Sequence, residues 1–505
     1  MRGISTSLDL TQRILEDRRT LWVVGTVVFL LFVVANLPWE LDDYDQAKQA
    51  FTSFEMIKEG HWFFQHTPRQ HVATKPPLVG WMSAVLFALT RSWNAAWRLP
   101  PFLAAVGTMV LLFRAAGSAY GWLAAVVAFS AFGLNLLTPR LATLIRTDMP
   151  LAFVIFLIGL LIWEKIRAET GWKAQDRIYL FTLLTAAMLI KGPIVYAFLL
   201  PGIAVFEWSF VRVGALRRPD TAARRPYRGV WSGWWPWIAS LFVFILWVVG
   251  GILFQPRFFD EVLMHEFAAR FGETIHRPQP LYFYLPHLLH KFAPWSVLTI
   301  ALAIVDLRSQ NSRLRSVLCE MSPETFWLLC WSLGGLAAMS LIPSKRVDRI
   351  FPVIPPLCLL LAAQIGREAA LRRLIAYRWT AAVLLIAIFF AGGSTISRVI
   401  SGYRDHREAL AVFGRKVRYE AEAHHWRYEV VFAKDEGLLL YLRKTHFIKA
   451  DQAVAEWNRG NLDALIISAE EVPALMRELR DAALSQLRLS KSREGQGRDY
   501  ILITH

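Results

Sequence analysis

The sequence predicts an all-α polytopic membrane protein of about eleven transmembrane helices, with amphipathic helices on the outer face and a small C-terminal α/β domain. Three observations carry this. Apolar runs long enough to span a bilayer recur through the first 400 residues, and the chain is 55% hydrophobic with 21 Trp. The net charge of +16 is spread over short loops between those runs, the pattern of cytoplasmic Lys and Arg. After residue 400 the composition turns polar, and strand-like runs appear at 428–433, 463–469 and 499–504.

The expected spans lie near 21–39, 97–114, 119–137, 150–163, 178–190, 194–210, 233–254, 294–307, 325–341, 350–365 and 379–398. No small-residue cleavage site follows the first run, so it reads as an uncleaved anchor. The basic loops set the orientation. Placing the N-terminus and the loops at 164–177, 212–228, 308–315 and 367–378 in the cytoplasm gives one consistent path. On that path the run 78–90, only 13 residues long, lies in the interface or re-enters instead of crossing. The expected domains are then 1–400, transmembrane, and 401–505, periplasmic. Basic residues confined to short loops argue against a nucleic-acid partner. Cys319, Cys330 and Cys358 show no pairing or metal-ligand pattern.

The segments expected outside carry cations that the loop rule discourages. They include Arg69, Lys75, Arg140, Arg146, Lys191, Arg257, Arg270, Arg277, Lys291, Lys345, Arg346 and Arg349. Near a membrane such groups face a polar cavity or an anionic partner, and a phosphate suits Arg and Lys together. Lys191 sits in LIKGPIV, where Gly-Pro marks a tight turn, and Lys345 and Arg346 sit in the short loop IPSKRVDRIFP.

Two acids stand on the same side. Asp45 opens DQAKQAFTSFEMIKEG, whose apolar positions Ala47, Ala50, Phe51, Phe54 and Ile57 recur at helical spacing, as in a helix lying on the membrane. Asp42 and Asp43 precede that helix and read as solvated loop. Asp148, in LIRTDMPLA, starts a span with Pro150 in its first turn. Both acids could cap helices. With the cations, they also suit a carboxylate that activates a hydroxyl while cations hold a phosphate leaving group. His265 and Glu266 are adjacent and so point about 100° apart on a helix, which makes a weak metal pair. His287 and His290 have ligand-like spacing but no carboxylate partner and read as interfacial packing.

These residues, in order, resemble the polytopic GT-C glycosyltransferases that take a sugar from a polyprenyl phosphate: the aminoarabinose transferases of lipid A and the protein O-mannosyltransferases. The resemblance covers about 20–400 and rests on Asp45 with Glu55-Met56 and Gly60-His61-Trp62, Lys75-Pro76-Pro77, Arg146-Thr147-Asp148-Met149-Pro150, Lys191-Gly192-Pro193, the stretch 265–271 with 282–286 and Pro294-Trp295, and Ser344-Lys345-Arg346 with Pro352. It implies that Asp45 is the catalytic carboxylate and Asp148 the second acid. It implies that Lys75, Lys191, Lys345 and Arg346, with Arg146 beside them, hold the lipid phosphate. His265, Glu266, Arg270 and Tyr282 would touch the acceptor or support the site. No cofactor is definite; a divalent metal is open, with His265 as a weak ligand. Gln46 stands where the family often has an acid and Thr74 where the aminoarabinose branch often has one, which with the weak His265 case argues against that branch's metal site and against that branch. The expected donor is an undecaprenyl-phosphate sugar in a bacterial inner membrane, the acceptor a lipid, glycan or protein, and the outcome inversion at the anomeric carbon. A transporter or flippase of an anionic lipid-linked substrate is the competing reading, and a non-catalytic scaffold a further one.

Overall fold

The computed structural model describes residues 10–41, 43–216, 232–264, 278–309, 321–433, 435–489 and 499–505. The chain is mostly helical. Among the described residues five helices are long and apolar enough to cross a membrane: Trp93–Tyr120, Asp148–Arg167, Trp235–Phe254, Val347–Leu371 and Arg373–Arg404. Leu281–Lys291 and Trp295–Val305, bent by 101°, together make a sixth candidate. Several of the eleven expected runs form shorter helices. The run expected at 119–137 yields the 12-residue helix Trp122–Gly133, about 18 Å long at 1.5 Å per residue.

The chain forms two compact units, neither of them one continuous segment. The first comprises Met1–Ala35, Pro100–Thr143 and Thr147–Thr395. Its helices approach closely where side chains are smallest, the usual device when apolar surface alone gives no net drive to associate. In the helices Ile194–Leu216 and Pro323–Leu341, a Cβ on Gly334 would stand 2.5 Å from the Gly202 nitrogen, so only glycine fits this crossing. Trp327 and Trp331 stack at 6.0 Å, and the Trp327 indole N–H donates to the Gly159 carbonyl at 3.1 Å.

The second unit comprises Asn36–Leu99, Leu144–Arg146 and Ile396–His505. It contains a four-stranded sheet of order β1-β2-β4-β3: β1 (Tyr428–Val430), β2 (Ala464–Ser468), β3 (Ala483–Leu489) and β4 (Tyr500–Thr504). β1 and β2 are parallel, and β4 is antiparallel to both β2 and β3. Strand alternation sorts the side chains onto two faces. Ala464, Ile466 and Leu502 enter one core, whereas Leu465, Ile467 and Ile503 enter another with Trp457 and Ile448.

The first of those cores revises a sequence expectation. Ala47, Ala50, Phe51 and Phe54, the face expected to lie on the membrane, are at most 1% exposed. They are buried with Trp93, Trp97, Leu410, Phe413, Val417, Leu438 and Leu502 of the same unit. Helical periodicity reports an apolar face but not whether lipid or protein covers it. The 13-residue helix Leu78–Thr90 belongs to this unit as well, with Gly80 against the Met56 methyl.

Candidate functional site: two carboxylate–cation pairs

The helix Tyr44–Glu59 begins at Asp43, whose Oδ1 accepts from the backbone N–H of Asp45 at 2.9 Å and of Gln46 at 3.3 Å. Asp43 is therefore the N-cap, not solvated loop. Asp45, in the first turn, is thereby released from capping. The Arg146 guanidinium lies 3.1 Å from Asp45 Oδ2 and 3.3 Å from Asp43 Oδ2. The Asp45 side chain keeps 34% of its surface exposed, whereas Arg146 keeps 9%. Gln46 is buried, and its side-chain oxygen accepts from the Ile145 N–H at 3.3 Å, fixing the segment that carries Arg146. Gln46, which stands where the family often has an acid, thus has a structural task.

Lys75 lines a cleft in the same unit with Lys48, Gln49, Thr52, Gln65 and Thr74. Burial holds the Lys48 ammonium below the usual lysine range, partly offset by Glu436 and Asp45. Two lysines thus line one small cleft.

In the first unit, Asp148 opens the helix Asp148–Arg167 and Lys191 ends the helix Ala174–Lys191. The ammonium of Lys191 lies 2.5 Å from Asp148 Oδ1, with side-chain exposures of 12% and 10%. An acid at a helix N-terminus and a cation at a C-terminus are each favoured by the helix dipole. The cap position is Thr147, which makes no side-chain capping bond. Asp148, in the first turn, pairs with Lys191. Lys345 is buried, and its ammonium donates to the Gln279 carbonyl at 2.9 Å. Burial pushes its pKa below the ordinary lysine value. Arg349 donates to the Ser344 carbonyl at 2.6 Å and braces the loop that carries Lys345 and Arg346.

Tyr282 is 69% exposed. His265, Glu266 and Arg270 lie outside the described residues. His287 packs on the Phe283 ring at 4.6 Å, as the packing reading expects. Among the described residues the sequence reading missed one group that could hold a metal: Glu55, His61 and His66. Their spacing follows no helical or strand period, so no simple pattern marks them.

No family model matches the chain. Among curated proteins, the undecaprenyl phosphate-alpha-4-amino-4-deoxy-L-arabinose arabinosyl transferase of Shewanella sediminis is 26% identical over 356 residues, 67% of this chain and 59% of that protein. The enzyme of the same name from Yersinia enterocolitica is 24% identical over 407 residues, 76% of this chain and 67% of that one. Among solved structures, ArnT from Cupriavidus metallidurans bound to undecaprenyl phosphate superposes with a TM-score of 0.65 at 17% identity, covering 96% of this chain and 97% of that one. The chain has the aminoarabinose-transferase fold. The apo form of the same ArnT gives the same TM-score over 98% of its length. The GT-C resemblance read from the motifs is thus matched in fold and in relatives, and the relatives fall in the branch that Gln46 and Thr74 argued against. The aligned region spans 59% of the length of the first of these curated relatives.

Proposed function

We propose that the chain is a membrane glycosyltransferase that moves a sugar from an undecaprenyl-phosphate donor to an acceptor hydroxyl, inverting the anomeric carbon. The observation that carries this reading is the environment of Asp45. It is a carboxylate about one-third exposed, at the start of a helix buried from Gln49 to Met56, freed from capping by Asp43 and oriented by Arg146. A base needs both access to a proton and a fixed direction. Asp148 is less suited to that task, because it is nearly buried against Lys191; we assign it to holding Lys191 in place. Lys75, in the same unit as Asp45 and its orienting group Arg146, would stabilise the phosphate as it departs. Names of the relatives and the fold likeness to a protein bound to undecaprenyl phosphate support the donor class. The acceptor is a lipid, a glycan or a protein. The active site and the sheet-bearing C-terminal region would lie on the periplasmic face of the inner membrane, with the N-terminus and the Arg-rich loops in the cytoplasm and about eleven spans in all.

In the reaction the acceptor oxygen attacks C1, its proton passes to Asp45, and the C1–O bond to the phosphate breaks with the pair of electrons leaving on the phosphate oxygen. Direct displacement inverts C1. The test is mass spectrometry of lipids from cells carrying Asp45→Asn. Accumulation of one polyprenyl-phosphate sugar, at wild-type protein level, is expected and identifies the sugar by mass. Unchanged lipid-linked sugars, in cells where the wild type is expressed and required, would turn the reading toward a transporter of the same class of lipid.

A further inference from the structure

A cluster of donor side chains outside the carboxylate–cation pairs lies at the C-terminal end of the Asp45 helix. Glu55 sits in its last turns, and Gly60, at φ 83°, ends the helix in the left-handed conformation. That turn brings the following residues back beside the helix. His61 Nδ1 contacts Glu55 Oε1. His66 Nδ1 lies 3.4 Å from the same oxygen and 3.2 Å from His61 Nδ1. Glu55 is 3% exposed, and its second carboxylate oxygen, Oε2, is buried with no hydrogen-bond partner. The loop is firmly built. Ala73 N–H donates to the Gln65 carbonyl at 2.7 Å, Thr67 N–H to the His71 carbonyl at 2.8 Å, and the Trp81 indole to the Trp62 carbonyl at 2.7 Å.

We propose that Glu55, His61 and His66 bind a divalent transition-metal ion of the zinc type, which clamps the loop after the Asp45 helix to that helix. Three facts meet here. The donors are two imidazoles and a carboxylate, a set suited to zinc and its neighbours. Zinc–nitrogen bonds of about 2.0–2.1 Å in a tetrahedron place ligand atoms roughly 3.3 Å apart; two of the three separations here are 3.2 and 3.4 Å, and the direct His61–Glu55 contact would open to admit the ion. The three donor atoms also converge, and the buried carboxylate keeps Oε2 without a hydrogen-bond partner. One cation satisfies both nitrogens and the carboxylate together. The exposures fall from 45% at His61 to 15% at His66 and 3% at Glu55, so the fourth coordination position opens beside His61. The ion is expected to be removable by chelator. The hairpin that carries His66 leads directly to Lys75, so the clamp also fixes the lysine cleft. This proposal does not depend on the catalytic reading.

The test uses the purified full chain in detergent, stripped with chelator and titrated with cobalt(II) alone as a spectroscopic probe. One equivalent is expected, with the intense visible absorption of four-coordinate cobalt. His61→Ala, at the most exposed ligand, and His66→Gln should each weaken it by at least about tenfold. Zinc should displace cobalt and raise the unfolding midpoint of the wild type but not of the variants. In chelator, all three proteins should unfold at similar temperatures. Absence of a stoichiometric cobalt site in the folded wild type would overturn the proposal. So would equal binding by both variants, which would place the ion at others of the 12 histidines.

Discussion

The two carboxylate–cation pairs differ in a way that separates chemistry from architecture. Asp45 and Arg146 form a pair in which the acid is open to solvent and the cation has a second acid, Asp43, at 3.3 Å. Asp148 and Lys191 form a pair in which both members are about nine-tenths buried. A buried ion pair is weak evidence of net stability, but removing one partner leaves a charge stranded away from water. An open pair with a shared cation can lose one acid at little structural cost. The same residue types therefore do different work. Their surroundings, more than their chemical identity, decide which acid can accept a proton from a substrate.

The largest effect that would break this comparison concerns Asp45→Asn. It should lower transfer by about 10²–10⁴-fold, the usual contribution of a general base, while the unfolding midpoint stays near wild type, because Asp43 still neutralises Arg146. Next comes Asp148→Asn, which leaves Lys191 buried without its carboxylate. A loss of about 3–5 kcal/mol is expected, read from thermal or denaturant unfolding in detergent. A stability cost for Asp45→Asn as large as that for Asp148→Asn would erase the distinction. Gln46→Ala removes the acceptor that holds the Ile145 N–H, and should cost about 1–3 kcal/mol by leaving a buried donor unsatisfied.

The smallest effect sharpens the comparison with a third acid. Glu436 is buried, and its Oε2 makes no hydrogen bond. Burial raises its pKa above 4.5, against the pull of Lys48 and Arg69. Between the unfolded value near 4.5 and the higher folded value, the native state holds more protons than the unfolded state. Stability from this group is therefore lost as pH rises through that window. Glu436→Gln should be more stable than wild type at neutral pH, and the gain should vanish below about 4.5, where both states are protonated. An unchanged difference across that range, in unfolding midpoints measured against pH, would contradict the assignment.

Asp45, Lys75, Asp148 and Lys191 stand out in the sequence as candidates by charge beside apolar runs, because ionisable groups there need a reason. Pairing was not legible. Asp148 and Lys191 are 43 residues apart, and only the antiparallel approach of two helix ends joins them. The capping role of Asp43 is hidden because the apolar spacing places the helix start at Asp45, which leaves no capping task for its neighbour. The Glu55–His61–His66 cluster escaped notice because its assembly depends on a left-handed turn at Gly60, and periodicity cannot encode a reversal. The strands β1, β2 and β4 fall within the expected runs, since those runs are rich in β-branched, leucine and tyrosine residues. β3 was missed. ALSQLRL mixes polar residues on a half-exposed edge and carries a register shift between Leu484 and Arg488.

The most direct measurement follows turnover and folding together in one purified variant. Asp45→Asn would be given the polyprenyl-phosphate sugar identified by mass, with release of polyprenyl phosphate counted per folded molecule and the unfolding midpoint recorded on the same sample. A fall in turnover of at least about 100-fold at an unchanged midpoint is the predicted result. Turnover within about threefold of wild type, far below what loss of a general base produces, would contradict the role given to Asp45.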